Sequence, residues 1–214
     1  MLRQKQQMQM LRAVNQLNKV KVFEKEIGWI KNDKIREFAK LAVEGLPDYF
    51  FTVAASSTGK YHPEYALGNG GLTRHTKALL HIAKDLSTLE MFSKKYSDDD
   101  IDLIFTGGMC HDGIKHGTEY SKYTVVDHPV QAANYIRELN KKVGLLTEEQ
   151  EEKLYGIIIS HMGQWNTDRY KNEIMPKPKK SIESFVHLCD YLASRKYLLF
   201  DFGADYYNPE DYEN

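Results

Sequence analysis

TGGMCHDGIKHG, residues 106–117, sets His111, Asp112, Lys115 and His116 among glycines, directly after the apolar residues Ile101, Leu103, Ile104 and Phe105. The adjacent pair His111-Asp112 therefore falls where a segment that reads as a buried helix ends. Polar groups in such a place are costly unless each finds a partner. The partners must come from other parts of the chain, and the same helical periodicity finds them.

In LTRHTKALLHIAKDL, Leu72, His75, Leu79, Ile82 and Leu86 step by three, four, three and four, which stacks them on one helical face with His75 among core positions. Ile101, Ile104, Gly108 and His111 follow the same steps. So do His128, Ala132, Tyr135 and Leu139, and in LYGIIISH the set Leu154, Ile157 or Ile158, and His161. Asp190 is framed by Val186 and Ala193 on a face that is otherwise apolar. One such histidine is the signature of an ordinary hydrogen-bonded core residue. Four histidines and two aspartates from separate helices, all turned inward, point instead to a common partner, and a metal ion is the simplest.

The periodicity predicts helices over about 72–88, 98–111, 128–141, 147–162 and 181–199, a second helix after Asn32-Asp33, and an irregular aromatic loop from Tyr49 to Gly71. Strand-like alternation is almost absent, so the fold class is all-α. Residues 1–46 read as a helical arm or cap carrying the thin apolar stripe Leu2, Met10, Leu11, Val14 and Leu17. Residues 168–181, with Pro176, Pro178 and four lysines, read as a basic surface loop, and 201–214 as a partly frayed acidic tail.

At 214 residues and net charge −1 the chain holds one main domain and has no overall field to attract nucleic acid or anionic lipid. Two cysteines, Cys110 and Cys189, exclude a disulfide framework and a four-cysteine zinc site. No apolar run reaches signal-peptide or membrane-spanning length, so the expectation is a soluble cytoplasmic protein without a membrane partner. Composition leaves oligomeric state open.

The residues His75, then His111-Asp112, then Asp190 resemble the H…HD…D signature of the HD-domain metal-dependent phosphohydrolase superfamily, over roughly residues 47–200. Within it, SSTGKYHPEYALGNGGLTRHT, ISHMGQW and VHLCDYLASR look most similar to the HD module of YhaM-like 3′-to-5′ exoribonucleases. Two features depart from those enzymes: the first 45 or so helix-like residues cannot form their OB-fold module, and Met162 stands where some two-metal members carry a further histidine.

The resemblance implies an HD helical bundle with a metal site in its core. It assigns His75, His111, Asp112 and Asp190 to one divalent ion, and His128 and His161, bridged by Asp112, to a second, with Mn, Fe, Co, Ni or Zn suited to imidazole and carboxylate. Asp112 and Lys115 are then the catalytic residues, Lys115 occupying the lysine of an HD-x-x-K motif and holding a phosphate oxygen. The glycines beside the doublet are expected to give backbone room for substrate.

Lys60, His62 and Arg195 are further substrate-binding candidates, His62 and Arg195 being open equally to plain surface roles. His187 is read as orienting Asp190 or as core, His81 as surface, and His116 as either. The implied reaction is hydrolysis of a phosphoester in a nucleotide or short single-stranded nucleic acid by metal-activated water, by a 3′-to-5′ exonuclease or phosphodiesterase. Tyr61, Tyr65, Trp165 and Tyr170 are available for base stacking. The alternatives are a nucleotide phosphomonoesterase or diphosphohydrolase, and a non-catalytic metal-stabilised binding protein.

Overall fold

The computed structural model describes residues 18–56, 59–60, 62–198 and 201–212. The stripe from Leu2 to Leu17 and the ring of Tyr61 lie outside the described residues. Among those described are nine α-helices and no β-strand, only an isolated antiparallel bridge between Thr167 and Glu173. The helices are α1 (Lys19–Val22), α2 (Glu24–Ile27), α3 (Asp33–Glu44), α4 (Gly71–Thr88), α5 (Glu90–Ser93), α6 (Asp98–Cys110), α7 (His128–Val143), α8 (Glu148–Ser160) and α9 (Ser181–Ala193). None is long and apolar enough to cross a membrane.

Local chemistry sets the helix starts. Asn32 caps α3 by accepting from the backbone of Lys34 and Ile35, while Ser97 with Asp100, and Thr147 with Gln150, form reciprocal capping boxes at α6 and α8. The helix expected to run to residue 199 stops at Ala193. There the Ser194 hydroxyl and the Arg195 Nε–H both donate to the Tyr191 carbonyl and satisfy a helix-end acceptor from the side. The amino-terminal region is likewise broken, into two single turns and α3, with the Lys31 and Asn32 amides donating to the buried carboxylate of Asp102 on α6.

Helix α6 lies at the centre, packed against α3, α4, α8 and α9. Its close approach depends on two glycines. A Cβ on Gly107 would sit 2.6 Å from Cγ2 of Ile157 on α8, and one on Gly108 would sit 2.8 Å and 2.9 Å from Leu79 and Leu80 on α4. A Cβ on Gly113 would meet Leu46 at 2.6 Å. The expectation that these glycines make room for substrate is thus corrected: they bring helices together and fix where the end of α6, and so His111 and Asp112, lies.

Val22, Phe23, Ile27, Ile35, Phe38 and Leu46 from the amino-terminal region share one apolar core with α4, α6 and α8. The predicted aromatic loop forms two short 3-10 turns, Asp48–Phe51 and Glu64–Ala66, with Phe50 and Phe51 fully buried. Burying each such ring stabilises by about 1.5–3 kcal/mol. The segment 201–212 is a docked strap, not a frayed tail: Tyr207 is fully buried and its hydroxyl donates to Phe51 O at 3.2 Å. The buried Arg74 guanidinium ties the strap down by donating to the carbonyls of Tyr65, Leu67 and Tyr207.

Candidate metal centre

Five elements deliver the polar cluster. His75 comes from α4, His111 caps the end of α6 with Asp112 in the turn beyond, His128 opens α7, His161 caps the end of α8, and Asp190 projects from α9. All four histidines are buried, and Asp112 is 2 % exposed. Their rings form a chain: His75 to His111 at 5.7 Å, His111 to His161 at 4.9 Å, and His161 to His128 at 5.4 Å between centroids.

Three of these imidazoles are oriented by one local device. The Nδ1 of His111, His128 and His161 lies 2.7, 2.8 and 2.7 Å from the carbonyl oxygens of Gly108, Val125 and Ile158, each three residues earlier. A carbonyl only accepts, so Nδ1 carries a proton in each ring. Burial keeps His128 neutral and its Nε2 a lone-pair acceptor aimed inward, whereas burial alone would lower the His111 imidazole but the Asp112 and Asp190 carboxylates outweigh it and raise it. Among the described residues those three Nε2 atoms have no hydrogen-bond partner, and neither does Oδ1 of Asp112.

Yet they crowd one another. His128 Nε2 lies 2.9 Å and His161 Nε2 3.5 Å from Asp112 Oδ1, while His111 Nε2 lies 3.4 Å from Asp112 Oδ2 and 3.6 Å from Asp190 Oδ1. For His128 and Asp112 this sets lone pair against lone pair among buried groups, which is unfavourable without a cation between them. The His75 Nε2 is 2.8 Å from Asp190 Oδ1, leaving its Nδ1 without a partner.

Two overlapping triads could each hold a metal ion, His75-His111-Asp190 and His111-Asp112-His161, with ligand atoms within 4.8 Å of one another in each. The Asp112 carboxylate turns Oδ2 toward His111 and Oδ1 toward His128 and His161, so its two oxygens face the two halves of the cluster.

The charges suit this role. Burial alone would raise the Asp112 carboxyl, but the Lys115 and His111 charges outweigh it and hold it well below the usual carboxylate range. Asp190 is also held low: burial is overcome by the hydrogen bond from His75 and the charge of His111. Both are ionised at neutral pH and suited to act as ligands. For His128, burial depresses the imidazole and outweighs the Asp112 carboxylate beside it. His62 is pushed down to about 3 by burial, then by its neighbours His75 and Lys115, so it too is neutral.

A cavity of about 620 Å³ opens onto the cluster, with His75, Asp112, His161 and Asp190 in its floor. Its walls carry His62, whose ring meets that of His75 edge-on at 5.4 Å, and Lys115, whose ammonium pairs with Asp112 Oδ2. Arg195 is also in the wall, and no carboxylate pairs with it among the described residues. Lys60 is exposed and stands outside the described cavity wall.

Other expectations change. His187 bonds through Nδ1 to the His161 carbonyl at 2.6 Å, not to Asp190, and so holds the end of α8. His116 is buried, its Nδ1 donating to Ser121 O and its ring stacked on Tyr120. His81 is half-buried against Trp29, with its Nε2 3.8 Å from Glu26. Tyr65 is committed to the Ala193 carbonyl and to Phe202, which removes it from base stacking. Tyr170 is exposed under Arg169.

Met162, Trp165, Tyr191 and Ser194 complete the wall, and of these Tyr191 and Ser194 were not singled out by pattern. Tyr191 and Arg195 are four apart in the sequence, a spacing that on the helix expected to run to residue 199 would have linked them.

Fold and site together define an all-helical protein with a buried histidine-aspartate cluster capable of binding metal. No family model, curated protein or solved structure matches this chain.

Proposed function

We propose that the chain is a metal-dependent phosphohydrolase of the HD superfamily. The observation that carries this reading is the approach of His128 Nε2 to Asp112 Oδ1 at 2.9 Å, with the ring's only proton committed to a backbone carbonyl on the other side. Two acceptors held so close in the interior fit a site built for a cation. His75, His111, Asp112 and Asp190 would hold one ion and Asp112, His128 and His161 the other, a donor set suited to Mn, Fe, Co, Ni or Zn. When bound, such ions supply Lewis acidity toward a phosphoryl oxygen and a water acidic enough to act at neutral pH.

The chain's own groups do the rest. Asp112, ionised beside Lys115, presents negative charge to the cations and has no role in carrying a proton. Lys115 places a point positive charge at the cavity wall, next to the carboxylate, where a non-bridging phosphate oxygen would sit and where charge builds during displacement. The neutral His62 on the same wall can donate to or accept from an ester oxygen without adding charge.

The test is metal analysis of the protein purified without chelator, joined to a phosphoester panel of mononucleotides and a labelled oligonucleotide with added Mn. Asp112→Ala is expected to lose both metal and turnover. Lys115→Ala is expected to keep its metal and lose about 100-fold or more in kcat. A shortened oligonucleotide ladder identifies an exonuclease, and free phosphate or pyrophosphate from mononucleotides a nucleotidase. Full metal loading without turnover of any phosphoester refutes the hydrolase reading, and near-normal activity in Asp112→Ala refutes the residue assignment.

A further inference from the structure

Beyond the metal cluster, one wall of the cavity is built of flat groups. Trp165, in the turn Gly163–Trp165 after α8, lies almost parallel to Tyr191 of α9, at 9° with ring centroids 5.9 Å apart. The Arg195 guanidinium carbon sits 4.1 Å from the centre of the Tyr191 ring. All three line the same cavity as Asp112 and Asp190.

Each member is held from behind. Arg195 donates through Nε to the Tyr191 carbonyl at 3.1 Å and through Nη2 to the Ser194 hydroxyl at 2.8 Å. Nη1 is engaged by no hydrogen bond among the described residues. Trp165 is braced by His187 at 6.1 Å, whose ring in turn packs on Gly163. Gly163 has φ +57°, and a Cβ there would collide with that imidazole, so the turn presenting Trp165 requires glycine at this position.

A tryptophan 46 % exposed is ordinarily unremarkable, but this one stacks on Tyr191, meets His187 on another side and lines the cavity above the metal-capable cluster. Flat, amphipathic faces of this kind bind planar rings by stacking, and an arginine edge beside them binds carbonyl or anionic oxygens.

We propose that Trp165, supported by Tyr191 and Arg195, is the specificity-determining surface of the site and selects phosphoesters that carry an aromatic heterocycle, a nucleobase, over those that do not. This rests on the phosphohydrolase reading for its biological meaning, but the binding it describes does not require turnover.

The experiment compares adenosine 5′-monophosphate with ribose 5-phosphate, which share the phosphate and sugar and differ only in the ring. Each is titrated against the full-length protein while tryptophan fluorescence is followed, with and without Mn, and circular dichroism checks the fold of each variant. Adenosine 5′-monophosphate is expected to quench the wild type and ribose 5-phosphate to leave it unchanged. Trp165→Phe is expected to remove the quench while binding adenosine 5′-monophosphate within a few-fold of wild type by equilibrium dialysis. Trp165→Ala is expected to weaken that binding by about 5-fold to 150-fold, with little change for ribose 5-phosphate.

Equal affinity of the wild type for the two ligands overturns the proposal, as does equal weakening of both in Trp165→Ala. If no phosphoester is hydrolysed yet the ring-dependent quench is present, the hydrolase reading fails and the ring site stands. If phosphoesters are hydrolysed with no preference for a ring, the reverse holds.

Discussion

Consider the protein stripped of divalent ions and then given them back. In the stripped state the Nε2 atoms of His111, His128 and His161 and Oδ1 of Asp112 are buried polar atoms without a hydrogen-bond partner among the described residues. An unsatisfied buried polar atom costs about 1–3 kcal/mol, so these four burden the fold by roughly 4–12 kcal/mol that a cation would relieve. How much appears as measured stability depends on ion concentration. At about 100 times the dissociation constant the gain is about 2.7 kcal/mol. For a chain of this size that corresponds to a rise in Tm of about 5–11 °C.

The assay is thermal unfolding of chelator-treated protein titrated separately with Mn, Fe(II), Co, Ni and Zn. His128→Leu supplies the control, because it removes the acceptor that faces Asp112 Oδ1 while keeping the site apolar and filled. Its ion-free Tm is expected to lie within about 4 °C of the ion-free wild type, since the lost hydrogen bond to Val125 O offsets the relieved repulsion. Its ion-dependent rise should shrink or vanish. An ordinary structural histidine gives the opposite result: no ion raises the wild-type Tm, and His128→Leu unfolds well below it. That outcome would refute the argument from unpartnered lone pairs.

Two further results are expected. Glu26 is fully buried 3.1 Å from the Lys77 ammonium; burial alone would raise its carboxyl, but His81 and Lys77 outweigh burial and hold it below 4.5. Its contribution to stability is therefore complete above about pH 4.5 and is lost as pH falls through the lower folded value, so the deficit of Glu26→Gln in urea unfolding should be larger at about pH 6 than at about pH 3.5; a constant deficit contradicts the pairing. Gly108→Ala forces a methyl against Leu79 and Leu80 and is expected to cost about 1–3 kcal/mol in denaturant unfolding while weakening metal affinity, because it shifts the end of α6; wild-type stability would show that the helices have room to spare.

The helical faces carrying His75, His111, His128 and His161 were legible because an amphipathic period is written in neighbouring residues, and a polar residue on the wrong face is conspicuous. Asp190 was legible for the same reason, on an apolar helix. The purpose of Gly107 and Gly108 was not, because a missing side chain reads alike whether a substrate or another helix fills the space. Nor was the strap at 201–212: its acidic composition hides that Tyr207 is the part that is buried, and the carbonyls that receive Arg74 leave no trace in side-chain pattern. The flat wall of Trp165, Tyr191 and Arg195 joins two distant segments, and only the packing of α8 against α9 brings them face to face.

The pairing of His75 with Asp190 spans 115 residues of chain. A ribosome making this protein therefore supplies His75 long before, and His161 shortly before, the carboxylate of Asp190. The emerging polypeptide must carry a half-built, thirsty pocket until α9 leaves the exit tunnel. The ion assigned to His75, His111, Asp112 and Asp190 would lack a ligand until then, whereas the donors of the triad His111-Asp112-His161 are all made earlier, so the two halves of the cluster are completed at different times.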